Sequence, residues 1–408
     1  MNITNITDHT FMRSALITAL SLALPMAASA AQTNDEIKQQ LDALQSQVTA
    51  LNSELGQATE WQSPNTLVHL TGYGDVGFVK PENGNSSFTV GSFSPIFHFQ
   101  YRDLVMLESE LEIQILPDGS TKLEMEYLTV DWFMNDYATL VAGKFLSPIG
   151  QFRQNLHPSW INKMPSAPPG FSHDGAAPVS EIGFQVRGGF LLGSMRSNYA
   201  VYASNGPELN SATADEVEFE LEGIRAEGFG ADRDGDKTYG GRFALLPIPS
   251  VEIGLSMASG KATVTELEVT PPSTGLESGF IEGQTARDYS VTGADFVWFT
   301  GNMSLRAEYV KTDIGEANTG ATKGAGAVWE AWYSQFAYRL PNSKWEGVLR
   351  YTDFDSPGTD RDVKQSMYGV NYLISNNFIA KFAYEMNDGT AGEPSDDNRA
   401  LVQLAYGF

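Results

Sequence analysis

The chain contains no cysteine, so no disulfide, thiolate metal site or thiol nucleophile is available to it. It also has no run of the roughly 20 apolar residues that a membrane-spanning helix needs, which excludes a helical membrane protein after processing. Basic residues are few, because 26 Lys and Arg stand against 50 Asp and Glu and give a formal net charge of -24. Since phosphate contacts depend on Lys and Arg, we expect no nucleic acid as a partner.

Signals of catalysis are missing as well. The sequence has no Gly-x-Ser-x-Gly elbow and no His-Glu-x-x-His pair. We therefore expect that the protein is not an enzyme, and that it has no catalytic residue and no cofactor. The run Asp232, Asp234 and Asp236 resembles the start of a calcium loop. However, its glycine follows the second aspartate, and Phe243 stands where the bidentate glutamate is required. We interpret this run as a solvated acidic loop and expect no metal site.

The amino-terminal segment 1–30 has the features of a signal peptide. Arg13 precedes a short apolar stretch over 15–24, and the small residues Ala28, Ser29 and Ala30 follow Pro25. This order predicts cleavage after Ala30, and the apolar stretch is too short to remain as an anchor. The initiating methionine is either Met1 or Met12.

Residues 31–60 are predicted to form a periplasmic coiled-coil segment. Apolar residues there alternate spacings of four and three, which is the seam of a coiled coil. These residues are Ile37, Leu41, Leu44, Val48, Leu51 and Leu55. Because the other faces are polar, copies of the chain must associate to bury the seam, and we expect an oligomer. A helix that lies on its own barrel is the alternative.

Residues 61–408 are predicted to form an all-β, antiparallel transmembrane barrel of about sixteen strands. Strands of about ten residues alternate between short turns and long connections, among them 146–180, 205–237 and 261–286, as in outer-membrane barrels. The last strand carries Val402, Leu404, Tyr406 and Phe408 on one side and ends the chain. We expect this strand to engage the barrel-assembly machinery in the outer membrane of a Gram-negative bacterium. A soluble β-sandwich is the alternative.

Single strands also alternate clearly between two kinds of face. Phe378, Ala380, Phe382 and Tyr384 share one side of a strand, and Lys381 lies on the other. In a barrel the aromatic side contacts outer-membrane lipids and the polar side faces the lumen.

Charged residues at inward positions form two predicted walls. The acidic wall consists of Glu108, Glu110, Glu112, Glu124 and Glu126. The basic wall consists of Arg187, Arg196, Arg242, Arg306 and Arg350. If the walls oppose each other, a solute that crosses the lumen meets a transverse field. Pairing of these charges with one another, which would leave a weakly selective pore, is the alternative.

The connection 146–180 is the longest one and contains six prolines together with Trp160, Ile161 and Phe171. Its apolar residues need cover, so we expect it to fold into the lumen and narrow it. Its polar candidates are Arg153, His157, Lys163 and Asp174. An outer lid or a contact between subunits is the alternative.

The stretch from Gly143 to Gly150, GKFLSPIG, closes a strand and opens that connection. Together with the signal peptide, the coiled segment and the aromatic terminus, it resembles the phosphate-selective porin family. That resemblance implies a trimeric sixteen-stranded channel whose third loop narrows the pore, with arginines that select anions such as phosphate. Some members carry a coiled coil and favour dicarboxylates.

The sequence therefore predicts a water-filled outer-membrane porin through which small hydrophilic solutes or ions diffuse passively. Anions such as dicarboxylates or phosphate are candidate solutes. The alternative is a structural or adhesive outer-membrane barrel with a plugged pore.

Overall fold

The computed structural model describes residues 45, 46, 49, 66–173, 175–213, 219–269, 277–358 and 361–408. It forms two units, Met1–Thr66 and Leu67–Phe408. The strands are β1 (Thr66–Pro81), β2 (Ser87–Tyr101), β3 (Val105–Ile115), β4 (Thr121–Asn135), β5 (Ala138–Leu146), β6 (Ser180–Leu192), β7 (Met195–Ser204), β8 (Glu208–Thr213), β9 (Phe219–Arg225), β10 (Thr238–Ile248), β11 (Val251–Glu268), β12 (Gly279–Phe280), β13 (Arg287–Thr300), β14 (Met303–Ile314), β15 (Ala327–Arg339), β16 (Trp345–Asp355), β17 (Val363–Ser375), β18 (Phe378–Gly389) and β19 (Arg399–Gly407).

Among the described residues, helical structure is limited to short segments. A π-helical turn spans Phe152–Leu156 and a 3-10 turn spans Pro394–Asp396. In the first unit, Gln45, Ser46 and Thr49 are helical and exposed. The predicted seam from Ile37 to Leu55 lies outside the described residues, so the coiled coil stays a prediction. Within the part of the chain that the structure describes, no helix is long and apolar enough to cross a membrane.

Sixteen of the strands close into an antiparallel barrel, which confirms the predicted fold class and strand number. Closure joins the first and last strands, with Tyr73 opposite Gly407 and Pro81 opposite Arg399. Gly72 and Phe408 exchange two backbone hydrogen bonds of 3.1 and 2.9 Å where these two strands meet. A closed barrel satisfies the backbone of its edge strands, which a membrane requires.

The outward and inward faces of the barrel differ as the alternation predicts. On β18, Phe382 and Tyr384 are 47% and 44% exposed, whereas Lys381 is fully buried on the inward face. On β19, Leu404 and Tyr406 are likewise exposed. In a membrane these outward apolar side chains contact lipid, because each strand alternates its two faces.

Short turns join the strands at one rim and long connections join them at the other. Two of the long connections differ from expectation, because β8 and β9 lie within 205–237, and β11 continues to Glu268. β8 pairs in parallel with the end of β11 and antiparallel with β9. This sheet beyond the barrel buries Leu209, Leu221 and Val264, one from each strand.

Candidate functional site

The connection between β5 and β6, residues 147–179, lies inside the barrel and is called the long loop below. Its apolar side chains Ile149, Phe152, Met164 and Phe171 are at most 3% exposed. They pack against inward residues of the barrel wall, for example Phe171 against Tyr333 with ring centroids 5.0 Å apart. The loop therefore fills part of the lumen, and this packing removes its apolar side chains from water.

The first half of the long loop is held by inward polar groups of three strands. The Gly150 backbone N–H donates to Ser256 Oγ at 3.1 Å, and the Phe152 N–H donates to Glu308 Oε2 at 3.0 Å. Gln151 Nε2 donates to Asp295 Oδ1 at 3.0 Å. These bonds satisfy loop backbone and side chains that water cannot reach.

The second half is held by two cations of the wall. Arg350 Nη1 donates to Ser166 O at 2.8 Å, and Arg350 Nη2 donates to Ala167 O at 3.3 Å. Lys381 Nζ donates to the Ser159 carbonyl and, at 3.3 Å, to that of Met164. Both cations are nearly or fully buried, so they act as anchors of the long loop.

Two glycines allow this close approach. Gly150 has φ +71°, and a Cβ at this position would lie 1.7 Å from Glu308 Oε1. Gly170 has φ +81°, and a Cβ there would lie 2.4 Å from the Cβ of Ala331. Other residues would be strained and would clash, so glycine at both positions is a condition for docking of the loop.

Opposite the docked loop, the inward faces of β3 and β4 carry the predicted acidic wall. Glu110 is fully buried and accepts a hydrogen bond of 2.7 Å from the hydroxyl of Tyr73. Glu108 lies 3.1 Å from His98 Nε2 and accepts from Tyr127 at 3.3 Å. The structure thus brings these acids together on one wall of the lumen.

The other acids continue this wall towards the rim with the long connections. Glu112 lies opposite Glu124 in the strand register, and Glu124 forms an ion pair of 2.9 Å with Lys122. Glu126 is 5% exposed and lies 3.8 Å from His173 Nε2. Acids therefore line the lumen from near the short turns to near the long connections.

The polar candidates of the long loop have different surroundings. Arg153 is 7% exposed, and burial lowers the pKa of its guanidinium from the ordinary value. His157 Nε2 lies 3.6 Å from Glu110 Oε1. Lys163 forms an ion pair of 2.5 Å with Glu346, on the side where the loop is docked. Asp174 lies outside the described residues.

His173 is a further loop residue at this site, although no sequence pattern distinguishes it from the other histidines. Its Nδ1 lies 2.7 Å from Glu227 Oε1. Hydrogen bonds with Glu126 and with Glu227 raise the pKa of His173 to about 9. The hydrogen bond between His173 and Glu227 lowers the pKa of the Glu227 carboxyl. His173 therefore lies between Glu227 and the acidic wall, with a carboxylate facing each ring nitrogen.

Two of the five predicted basic-wall residues are paired with acids. Arg187 Nη2 lies 2.5 Å from Asp131 Oδ2. Arg242 Nη2 lies 2.6 Å from Asp295 Oδ1 and 2.9 Å from Glu252 Oε1. These pairs leave little free positive charge on this part of the wall.

The other three arginines are separated from one another. Arg196 is exposed next to the short turn at the start of β7. The guanidinium carbon of Arg306 lies 4.9 Å from the centre of the Phe299 ring. Arg350 is buried beneath the long loop. The structure therefore does not bring the five arginines into one continuous ladder.

Three cavities follow one another along the lumen beside the long loop, and the acidic wall lines the first two. The upper cavity, about 350 Å³, is lined by Glu112, Glu126, Arg153, His157 and His173, among others. The middle cavity, about 230 Å³, shares His157 with it. The lower cavity, about 500 Å³, shares Gln154 and Arg187 with the middle one. The order runs from the rim with the long connections to the rim with the short turns.

The chain is similar to known outer-membrane channels. A family model for phosphate-selective porins O and P matches residues 276–408. The OmpT loop L8 deletion mutant of Vibrio cholerae matches with a TM-score of 0.57 and 11% identity, over 84% of this chain and 100% of that one. The outer membrane channel DcaP of Acinetobacter baumannii gives 0.55 and 13%, over 85% and 98%. An anion-selective porin from Comamonas acidovorans gives 0.54 and 15%, over 84% and 100%. A comparison with curated protein sequences found no match.

These findings define the class. The chain has the fold of a bacterial outer-membrane porin, and porins are passive channels. The predicted resemblance to the phosphate-selective porin family is confirmed over residues 276–408, which do not include the stretch Gly143 to Gly150.

Proposed function

We propose that the protein is a trimeric outer-membrane channel through which small hydrophilic solutes diffuse between the acidic wall and the docked long loop. The observation that carries this proposal is a series of three cavities, in which the upper and middle cavities share His157 and the middle and lower cavities share Gln154 and Arg187. Because polar side chains line all three, water fills them at little cost, and a solute can exchange hydration for side-chain contacts.

The charge along this path favours cations weakly. Arg187 and Arg242 are paired with acids, and Arg350 is covered by the long loop. The acidic wall keeps Glu110 Oε2 without a hydrogen-bond partner among the described residues. Since the remaining positive charge belongs mainly to Arg153 and His173 of the long loop, negative charge predominates along the wall. This arrangement does not favour strong selection of phosphate, which would need free cationic donors.

The trimer is proposed from two independent considerations. The predicted seam from Ile37 to Leu55 needs partners to be buried. The similar OmpT of Vibrio cholerae is also described in a trimer form. A coiled coil on the periplasmic side would hold three barrels together below the membrane. Processing after Ala30 and engagement of the barrel-assembly machinery by β19 are part of the same proposal.

Liposome swelling tests the permeability directly. Folded protein in liposomes is exposed to neutral sugars of increasing size, and we expect swelling that slows steeply with solute size. Heat-treated protein is the control, because it has lost the barrel. Absence of swelling with the smallest sugars, from protein that migrates as folded, would contradict the channel and favour a plugged barrel.

The ion preference is tested by the reversal potential in a salt gradient. We expect a weak preference for cations, which Arg153→Gln strengthens because it removes a positive charge from the upper cavity. The matched control is Lys364→Gln, since Lys364 is an exposed residue of β17 outside the lumen. An anion preference in the unmodified protein would overturn the assignment of the acidic wall as dominant.

A further inference from the structure

Three side chains of the upper cavity converge in a way that the pore function does not require. Glu112 of β3, Glu126 of β4 and His173 of the long loop each offer one ligand atom, and these atoms all lie within 4.8 Å of one another. Two ligand atoms on one zinc ion lie roughly 3 to 4 Å apart, given metal–ligand distances of about 2.0 to 2.2 Å. Small side-chain movements would therefore place all three on one ion.

The histidine is also oriented as a metal ligand is. Its Nδ1 lies 2.7 Å from Glu227 Oε1, and Glu227 belongs to the connection between β9 and β10 rather than to the cluster. A carboxylate that accepts from one ring nitrogen fixes the tautomer in which the other nitrogen carries the lone pair. Here the other nitrogen is Nε2, which faces Glu126 at 3.8 Å.

A second observation points to a bound polar species in this cavity, such as water, an anion or a hydrated cation. Arg153 lines it, is 7% exposed, and its Nε and Nη2 have no hydrogen-bond partner among the residues that the structure describes. Buried donors of this kind are satisfied by a water or by an anion in nearly all proteins. A hydrated cation brings such acceptors with it, as metal-bound water or as a bound anion.

The chemistry of the three ligands favours a particular kind of ion. Ca²⁺ and Mg²⁺ prefer oxygen ligands throughout, whereas an imidazole nitrogen with two carboxylates suits Zn²⁺ and related transition metals. The positive charge of Arg153 opposes the ion and keeps the affinity moderate. Moderate affinity suits a channel, since an ion must be able to leave the site again.

We propose that a divalent transition-metal ion, represented by Zn²⁺, binds to Glu112, Glu126 and His173 in the upper cavity. The ion bridges the acidic wall to the long loop. Only its position on the solute path rests on the proposed channel function, because the ligand geometry exists whether or not the barrel conducts.

Calorimetric titration of the folded, metal-free protein in detergent with Zn²⁺ tests the site. We expect one ion per chain, and an affinity at least about tenfold lower in His173→Gln and in Glu126→Gln. The matched controls are His98→Gln and Glu124→Gln, which change a lumen histidine and a wall acid outside the cluster. All variants must keep the heat-modifiable migration of the folded barrel.

Equal affinities of the two cluster variants and the unmodified protein would overturn the site, as would loss of binding only in the controls. Conductance in potassium chloride, measured with and without Zn²⁺, separates this inference from the channel. A protein that binds Zn²⁺ through His173 but never conducts would support the site and contradict the proposed function. A protein that conducts but shows no Zn²⁺ binding would do the reverse.

Discussion

At the scale of single residues, the role of a charged side chain depends on what lies across the lumen from it. Alternation along the strands predicts that Arg350 and Lys381 face the lumen. The structure places both beneath the long loop, where they donate to loop carbonyls. Alternation alone predicted the side of the strand on which these two side chains lie. It could not show that the loop covers them, because that contact joins segments far apart in the sequence.

Arg350→Met tests the anchor role. The change leaves the Ser166 and Ala167 carbonyls without their donors, and an unsatisfied buried acceptor costs about 1 to 3 kcal/mol. We expect a barrel that still folds but a less firmly docked loop, visible as larger and noisier single-channel currents. Arg196→Met is the matched control, since Arg196 is exposed beside a short turn. Unchanged current noise in Arg350→Met would argue against the anchor.

Phe382→Arg tests the lipid face of β18. Phe382 is 47% exposed on the outward side, and a charge near the middle of the membrane costs about 2 to 4 kcal/mol. We expect a matching loss in the free energy of unfolding from lipid vesicles, measured by urea titration, and almost none for Phe382→Leu. Equal stability of the arginine and leucine variants would mean that this face is not in lipid.

At the scale of elements, strands were easier to predict than the long loop. Period-two alternation and turn spacing predicted the barrel strands, because both are local properties of the sequence. The apolar and proline content of 146–180 predicted that this loop folds inwards. Its docking on Ser256, Glu308 and Asp295, and the convergence of His173 with Glu112 and Glu126, depend on barrel closure and could not be read from local pattern.

A disulfide between the long loop and the wall tests whether the docked position is the conducting one. Ser166 Oγ lies 3.7 Å from Met367 Sδ, and the chain has no other cysteine to interfere. We expect Ser166→Cys with Met367→Cys, once oxidised, to conduct equally before and after reduction. Each single variant serves as the control. Conductance that appears only after reduction would show that the loop must leave the lumen, as in a plugged barrel.

Leu44→Asn tests the predicted coiled coil as an element. A polar residue in the seam weakens association, whereas the barrel strands are untouched. We expect a smaller assembly on native electrophoresis together with normal heat-modifiable migration. Gln45→Asn changes a neighbouring position off the seam and should leave assembly unchanged. An assembly of unaltered size in Leu44→Asn would remove the seam from the account of the trimer.

At the scale of the whole molecule, the barrel, its docked loop and its charge distribution together support a narrow passive channel. Acids predominate in the composition and also on the free wall of the lumen, while most inward arginines are paired or covered. The sequence predicted the class and the two sets of charges. It could not show that Arg187 and Arg242 pair with Asp131, Asp295 and Glu252, since ion pairs along the wall depend on the register of neighbouring strands.

Single-channel recording in a planar bilayer tests the central claim most directly. A trimer of independent pores predicts conductance that appears in one insertion and closes in three equal steps at high voltage. The trace also reports whether the lumen beside the docked loop is open. Demonstrably folded trimers that insert without any conductance would contradict the account and leave a structural barrel in its place.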